Sequence, residues 1–294
     1  MLALPWLAER YQQLVQRFGA STLHHGILLS GPQGVGKREL ADALMQAILC
    51  LHPGSDGPCG ECQSCKLIQA GTHPDRYVLE SDKQLGVDAI REAIGKLNTT
   101  AQIGRHKVLI IPAAERMTEA ASNALLKTLE EPTDNTYLLL LTHRVAGLLP
   151  TILSRCEKHV IATPSAEQSL NWLAGQGHDE VDQALLNAYG NAPLRVARAL
   201  TDESALSYRD FLTGLEGLLG NNQDVTEVAS KWQDHAEQVI YWCQQYYHDQ
   251  YCKTQRKEDL QRYQHCIAYA VRVRHPGVNK VLLLSQIFSL LKQA

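Results

Sequence analysis

Four cysteines, Cys50, Cys59, Cys62 and Cys65, fall within sixteen residues in a Cys-x8-Cys-x2-Cys-x2-Cys arrangement. Thiolates are soft ligands, and four at such spacing close a tetrahedral shell around Zn2+ with no position left for water. A centre of that kind is structural, not catalytic. Gly54, Gly57 and Gly60 let the chain turn tightly between the ligands. An iron–sulfur cluster is the chemical competitor. His52 and His73 offer substitute ligands, but the complete cysteine set makes them unnecessary, and both read as surface loop residues. In a reducing compartment a thiol cluster reads as metal ligation before disulfides. The other four cysteines, Cys156, Cys243, Cys252 and Cys266, are scattered and read as core or surface positions without chemistry.

A second group of residues suits phosphate. Gly31-x4-Gly36-Lys37 stands between an apolar run and a helical pattern. In such a loop the glycines, Gly34 included, let backbone N–H groups wrap phosphate oxygens, and Lys37 adds a point charge. The next position normally carries a Ser or Thr hydroxyl for Mg2+; here it is Arg38, which cannot ligate a cation. A later strand, Val108-Leu-Ile-Ile111, should run into an Asp for the metal and a Glu to activate water, but Pro112 and Ala113 stand there. Glu115 is two residues displaced and is expected to point elsewhere. ATP hydrolysis is therefore not expected. Binding of ATP or ADP at Gly31, Gly34, Gly36, Lys37 and Arg38 without hydrolysis stays open, beside a loop kept only as a fold element.

These groups need elements to position them. Leu7, Tyr11, Leu14 and Phe18 mark an opening helix over Pro5–Phe18. Strands are predicted at 27–30, 77–79, 108–111, 137–142 and 158–161. Helices are predicted from 37 to about 50, at 87–97 and at 118–130, the last closed by Pro132. Continuously apolar strands alternating with helices predict a parallel, doubly wound α/β domain. From Pro164 the pattern turns helical: Ser165-Ala-Glu-Gln168 is a capping box, and Gly190-Asn-Ala-Pro193 a helix–helix turn. Thr201-Asp-Glu-Ser204 reads as a hinge, and His275-Pro-Gly277 as a break in a helical remainder. The expected organisation is an α/β domain over 1–163 with a zinc module at 50–65, a helical lid over 164–203, and a helical C-terminal domain over 204–294.

Net charge is −3, so a domain with a dense basic face for DNA is not indicated. No apolar run approaches the ~20 residues of a membrane helix, and Met1-Leu-Ala-Leu-Pro-Trp6 lacks the basic region of a secretory signal. The expectation is a cytoplasmic protein with no membrane contact. Tyr241-Trp242 and Tyr246-Tyr247 read as helix packing or interface before base stacking.

Three further strings carry a resemblance: Gly71-Thr-His-Pro-Asp75, Asn123-Ala-Leu-Leu-Lys-Thr-Leu-Glu-Glu-Pro132 and Leu149-Pro-Thr-Ile-Leu-Ser-Arg-Cys156. With the inserted cysteine module, the chain resembles the bacterial clamp-loader subunits of DNA polymerase III, gamma/tau and delta-prime, over about residues 1 to 200. The C-terminal part fits by helical content and by Gly277-Val-Asn-Lys280. The absent metal-holding and water-activating residues are those that separate the family's non-hydrolysing delta-prime branch from the ATP-hydrolysing gamma/tau branch. Gly31 to Lys37 is better preserved than an inactive subunit requires.

The resemblance implies a P-loop (AAA+) α/β domain with an inserted zinc module, a small helical lid and an all-helical C-terminal oligomerisation domain. It implies a hetero-pentamer with gamma/tau and delta, which opens the sliding clamp and closes it around primer-template DNA as part of a DNA-directed DNA polymerase holoenzyme. It also gives Arg155, in Ser154-Arg155-Cys156, the role of an arginine finger reaching the γ-phosphate on a neighbouring subunit. Thr142 falls where the family senses γ-phosphate and is read as structural here. Arg195 is a remnant nucleotide sensor or an exposed helix charge. Two other readings compete: an active gamma/tau-like motor with unorthodox metal ligation through Glu115 or Asp75, and a free-standing zinc-dependent nucleic-acid-binding module. The missing carboxylates weigh against the first, and the charge against the second.

Overall fold

Five short segments become five parallel strands: β1 (Gly26–Ser30), β2 (Arg76–Val78), β3 (Lys107–Ile111), β4 (Thr136–Thr142) and β5 (Glu157–Val160). In the computed structural model they form one sheet in the order β2-β3-β4-β1-β5. The structure describes residues 3–81, 83–202, 204, 206–220, 222–275 and 277–293. The expected hinge at 201–204 includes Glu203, and the expected break at 275–277 includes Pro276. Those two residues lie outside the described set, as do Met1, Leu2, Asp82, Ala205, Asn221 and Ala294.

The first seven helices are α1 (Ala8–Gly19), α2 (Lys37–Leu49), α3 (Gln63–Gln69), α4 (Val87–Leu97), α5 (Glu119–Glu130), α6 (Pro150–Leu153) and α7 (Ala166–Gly175). Side chains alternate across each strand, so a strand with both faces covered is apolar throughout. Ile27, Leu29, Val108, Ile110, Leu139 and Leu141 pack with α1 and α2. Their neighbours Leu28, Leu109, Ile111, Leu138 and Leu140 pack with α4 and α5 on the other face. Each such side chain contributes about 1.5–3 kcal/mol by leaving water.

Helix ends follow the local chemistry. Thr118 caps α5, its Oγ1 accepting from Ala121 N–H at 3.1 Å. Ser165 and Gln168 form the reciprocal capping box of α7, both bonds at 3.1 Å.

The chain divides into two compact units, one of residues 1–180 and 191–195, the other of 181–190 and 196–294. The segment expected as a lid is thus shared, α7 lying in the first unit and α8 (Gln183–Ala188) in the second. After α9 (Pro193–Thr201), the second unit continues through α10 (Tyr208–Leu219), α11 (Val225–Lys231), α12 (Ala236–Thr254), α13 (Lys257–Arg272) and α14 (Lys280–Gln293). Its core is aromatic: Phe211, Trp242, Tyr247 and Phe288 are fully buried, with the Phe211 and Trp242 rings 5.2 Å apart. Trp242 Nε1–H donates to Ala188 O at 2.9 Å. The aromatic pairs of α12 therefore place Trp242 and Tyr247 in packing roles.

Candidate functional site

The four cysteines converge. Cys50 caps the C-terminus of α2 in an extended conformation, while Cys62 caps the N-terminus of α3, its Sγ accepting from Cys65 N–H at 3.4 Å. Between them Gly54 and Gly57 exchange backbone hydrogen bonds of 2.8 and 3.3 Å. Gly57 sits at φ +128°, where a Cβ would lie 2.2 Å from the Tyr11 hydroxyl.

Cys50 Sγ lies 3.6 Å from Cys59 Sγ and 3.9 Å from Cys62 Sγ, Cys59 and Cys65 are 4.0 Å apart, and all four sulfurs fall within 4.8 Å of one another. A tetrahedron with metal–sulfur arms of ~2.3 Å has edges of ~3.8 Å, so the spacing fits a metal ion held by four thiolates. Amide donors already face the sulfurs, with His52 and Cys59 N–H on Cys50 Sγ at 3.4 and 3.3 Å. Burial opposes ionisation of Cys62, but the Cys65 and Leu51 amides and the Cys65 and Cys59 side chains bring its thiol down to about 6. Among the described residues no other group of three or more Cys, His, Asp or Glu gathers in this way. His52 is exposed as expected. His73 is not: it is 5% exposed, a correction to its reading as a surface residue. The cause is a hydrogen bond to Ser64, itself fully buried.

The phosphate loop lies where the C-terminal end of β1 meets α2, the place ligands take in open α/β sheets. Gly34 and Gly36 have φ of +81° and +98°. Lys37 Nζ donates to Gly31 O at 2.7 Å and to Pro32 O at 2.6 Å, so the lysine closes on its own loop. Burial lowers its pKa to about 8, against the attraction of Glu115 and Glu39. Residues 191–195 pack on the same loop: Leu194 N–H donates to Gly34 O at 3.3 Å, and a Cβ on Gly34 would lie 2.4 Å from Arg195 Cγ. Arg38 turns away to Asp42, 2.7 Å from its Nε, and to Glu80.

Glu115 is committed elsewhere, to His143. It lies in a short 3-10 turn over Ala114–Arg116, and its side chain is 1% exposed. Its carboxylate lies 2.5 Å from His143 Nδ1. Burial works to raise its pKa, but His143, the Thr142 hydroxyl and its own backbone N–H hold it at about 2. Asp75, the other carboxylate named for unorthodox metal ligation, is fully buried and accepts from Gln102 N–H (2.8 Å) and Ile103 N–H (2.7 Å). It organises a loop and is not free for a cation.

Arg155 follows α6 and precedes β5. Its carbonyl lies 3.3 Å from where a Cβ on Gly26 would stand, at the N-terminal end of β1. From Gly26 to Gly31 the strand rises ~3.3 Å per residue, or ~16 Å in all. Arg155 and the phosphate loop therefore sit at opposite ends of β1. The guanidinium pairs with Glu130, Nε to Oε1 at 2.6 Å, and also donates to Thr151 O at 3.0 Å.

With this geometry in place, comparison with known proteins is decisive. The family model described as "DNA polymerase III, delta subunit" matches residues 6–165. DNA polymerase III subunit delta-prime of Pseudomonas aeruginosa is 40% identical over 235 residues, 78% of this chain and 70% of the relative. The chain belongs to the DNA polymerase III delta-prime family. The Escherichia coli delta-prime subunit is 43% identical over 173 residues, 58% of this chain and 52% of the relative, so the match spans about half of that protein. A gamma-subunit-related protein of Thermotoga maritima shares the fold, with a TM-score of 0.52 and 21% identity over 97% of this chain and 98% of its own.

For a delta-prime family member the strings that carried the resemblance now have positions. Asn123 to Pro132 is the end of α5 that supplies Glu130, and Leu149 to Cys156 is α6 and the turn bearing Arg155. Reading the sequence missed Glu130 as the partner of Arg155, because the two are 25 residues apart and meet only through the fold. Two consecutive glutamates before Pro132 were the available signal.

Proposed function

We propose that this chain is the non-hydrolysing delta-prime subunit of a clamp loader, acting in the cytoplasm in DNA replication. Its partners are gamma/tau and delta in a hetero-pentamer, and the assembly places the sliding clamp on primer-template DNA. The observation that carries this reading is the pairing of family membership with a phosphate loop lacking its metal machinery. Arg38 is committed to Asp42 and Glu80, and Pro112 and Ala113 follow β3. The reading includes a structural zinc on Cys50, Cys59, Cys62 and Cys65, whose thiolates suit that ion. It also includes weak ATP or ADP binding without turnover at Gly31, Gly34, Gly36, Lys37 and Arg38.

The proposed organisation is an AAA+ domain over 1–163, a lid over 164–203 and an oligomerisation domain over 204–294. Ile267 and Val271, one turn apart on α13, and Leu282 on α14 are 41%, 72% and 58% exposed. An exposed apolar pair on one face of α13, as at Ile267 and Val271, supports a subunit-binding role.

Arg155 is proposed to act in trans. It is too far from its own loop, and its ion pair with Glu130 lies at the surface, where such pairs contribute about 0–1 kcal/mol. A neighbour's phosphate can therefore take the guanidinium at little cost. The test is assembly: purified chain mixed with gamma/tau and delta should elute as one hetero-pentamer active in clamp loading. Elution as a free monomer beside a complete, active loader would contradict the proposal.

A further inference from the structure

The string Gly71-Thr-His-Pro-Asp75 remains without a role in phosphate chemistry, yet two of its polar side chains are buried. His73 is 5% exposed, and Asp75 and Ser64 are at 0%. Polar groups buried to that degree are retained when they are hydrogen-bonded to one another, and here the bonds form a directed chain. Asp75 N–H donates to His73 Nδ1 at 3.1 Å. An imidazole nitrogen that accepts an amide proton carries none of its own, so the neutral ring holds its hydrogen on Nε2. That hydrogen points to Ser64 Oγ at 2.9 Å. Ser64, its acceptor site filled, donates onward to Leu49 O at 2.6 Å. Burial lowers the pKa of His73, which agrees with the neutral ring.

The two ends of this relay matter. Leu49 is the last residue of α2 and precedes Cys50; Ser64 lies in α3 between Cys62 and Cys65. One hydroxyl thus ties the helix end presenting Cys50 to the helix presenting the other ligand pair. His73 then anchors both to the Asp75 turn, which holds Gln102 and Ile103 and leads into β2. Between α3 and His73 the chain runs exposed through Ala70, Gly71 and Thr72.

We propose that Ser64 and His73 are positioning residues for the four-cysteine metal centre, fixing the distance between Cys50 and the Cys62–Cys65 pair and thereby setting how tightly the ion is retained. This rests on the metal reading above. Neither residue is a ligand, and neither touches phosphate or DNA in this role.

The experiment measures zinc per chain and then zinc release to a chromophoric chelator, well below the unfolding temperature, in full-length wild type, Ser64→Ala, His73→Ala and the double variant. Outer groups that orient metal ligands commonly change affinity about 10–100-fold when removed. Each single variant should therefore bind one zinc and release it at least about tenfold faster. The double variant should be no faster than the worse single, since either change breaks the same chain. His73→Gln, whose side-chain amide can still donate to Ser64 but leaves Asp75 N–H unpaired, should fall between. Leu125→Ala, a core truncation on the other face of the sheet, controls for general loss of stability and should leave release unchanged. Wild-type release from both single variants would overturn the proposal while leaving the zinc centre intact. Equal acceleration by Leu125→Ala would overturn it too, by showing only global loosening. Wild type without zinc would overturn both this and the metal reading.

Discussion

Replacing Arg155 by Ala should leave folding, zinc content and assembly of the loader intact while clamp loading and DNA-stimulated ATPase fall. The side chain packs in no core, and its partners are the surface carboxylate of Glu130 and the carbonyl of Thr151. Losing such a pair costs the fold about 0–1 kcal/mol. The same guanidinium aimed at a transferring phosphoryl group is worth far more, because it meets charge that develops in the transition state within a water-poor site. In P-loop enzymes a donated arginine contributes about 10³–10⁵ in rate. Only one of the loader's ATP sites would lose it, so the drop should reach a non-zero floor set by the remaining sites. Reconstitution with the variant, reading ATPase and clamp loading together, checks this. Unchanged activities would make Arg155 an ordinary surface charge, and failure to assemble would make it an interface brace.

The second large effect concerns the metal. Purified protein should carry about one zinc per chain, and Cys62→Ser should bind it poorly or not at all. Structural zinc in small finger modules supplies apparent binding energies of about 10–16 kcal/mol near neutral pH, most of it expressed as folding of the module. Serine is informative at this position because it is a good helix N-cap. The substitution keeps an acceptor for the Cys65 N–H at the start of α3 while removing the soft ligand. What is lost is then the metal, not the cap. The segment from Cys50 to Cys65 should become sensitive to protease, while the sheet, packed on both faces without help from the cysteines, should keep its far-ultraviolet signal. Chelation of wild type should reproduce the variant. Iron in place of zinc, or native folding of the module without metal, would contradict the assignment.

Much of the first unit was legible because its signals are local. The three central strands are apolar on both faces, so the runs at 27–30, 108–111 and 137–142 needed no partner to be read. The capping box at Ser165 and Gln168 is written in four residues and forms as read. Four thiols in sixteen residues likewise announce their own convergence. Side-chain roles that depend on who meets whom were hidden. His73 reads as a loop histidine until Ser64, nine residues earlier and in a helix absent from the predicted elements, arrives beside it. Glu115 shows no partner in the sequence, and only the fold brings His143, 28 residues later, onto its carboxylate. Spacing rules assume regular elements, and both residues sit in irregular backbone. The same limit hid the closure of residues 191–195 on Gly34, which joins segments more than 150 residues apart.

The central claim, a loader subunit that does not turn over ATP itself, is tested most directly by steady-state ATPase of the isolated chain with and without primed DNA. No appreciable turnover is expected in either case, because no hydroxyl follows Lys37, no carboxylate pair follows β3, and the lysine is held by Gly31 and Pro32 carbonyls. Turnover of ~1 s⁻¹ or more, within the ordinary enzyme range, and abolished by Lys37→Ala so that contamination is ruled out, would contradict it.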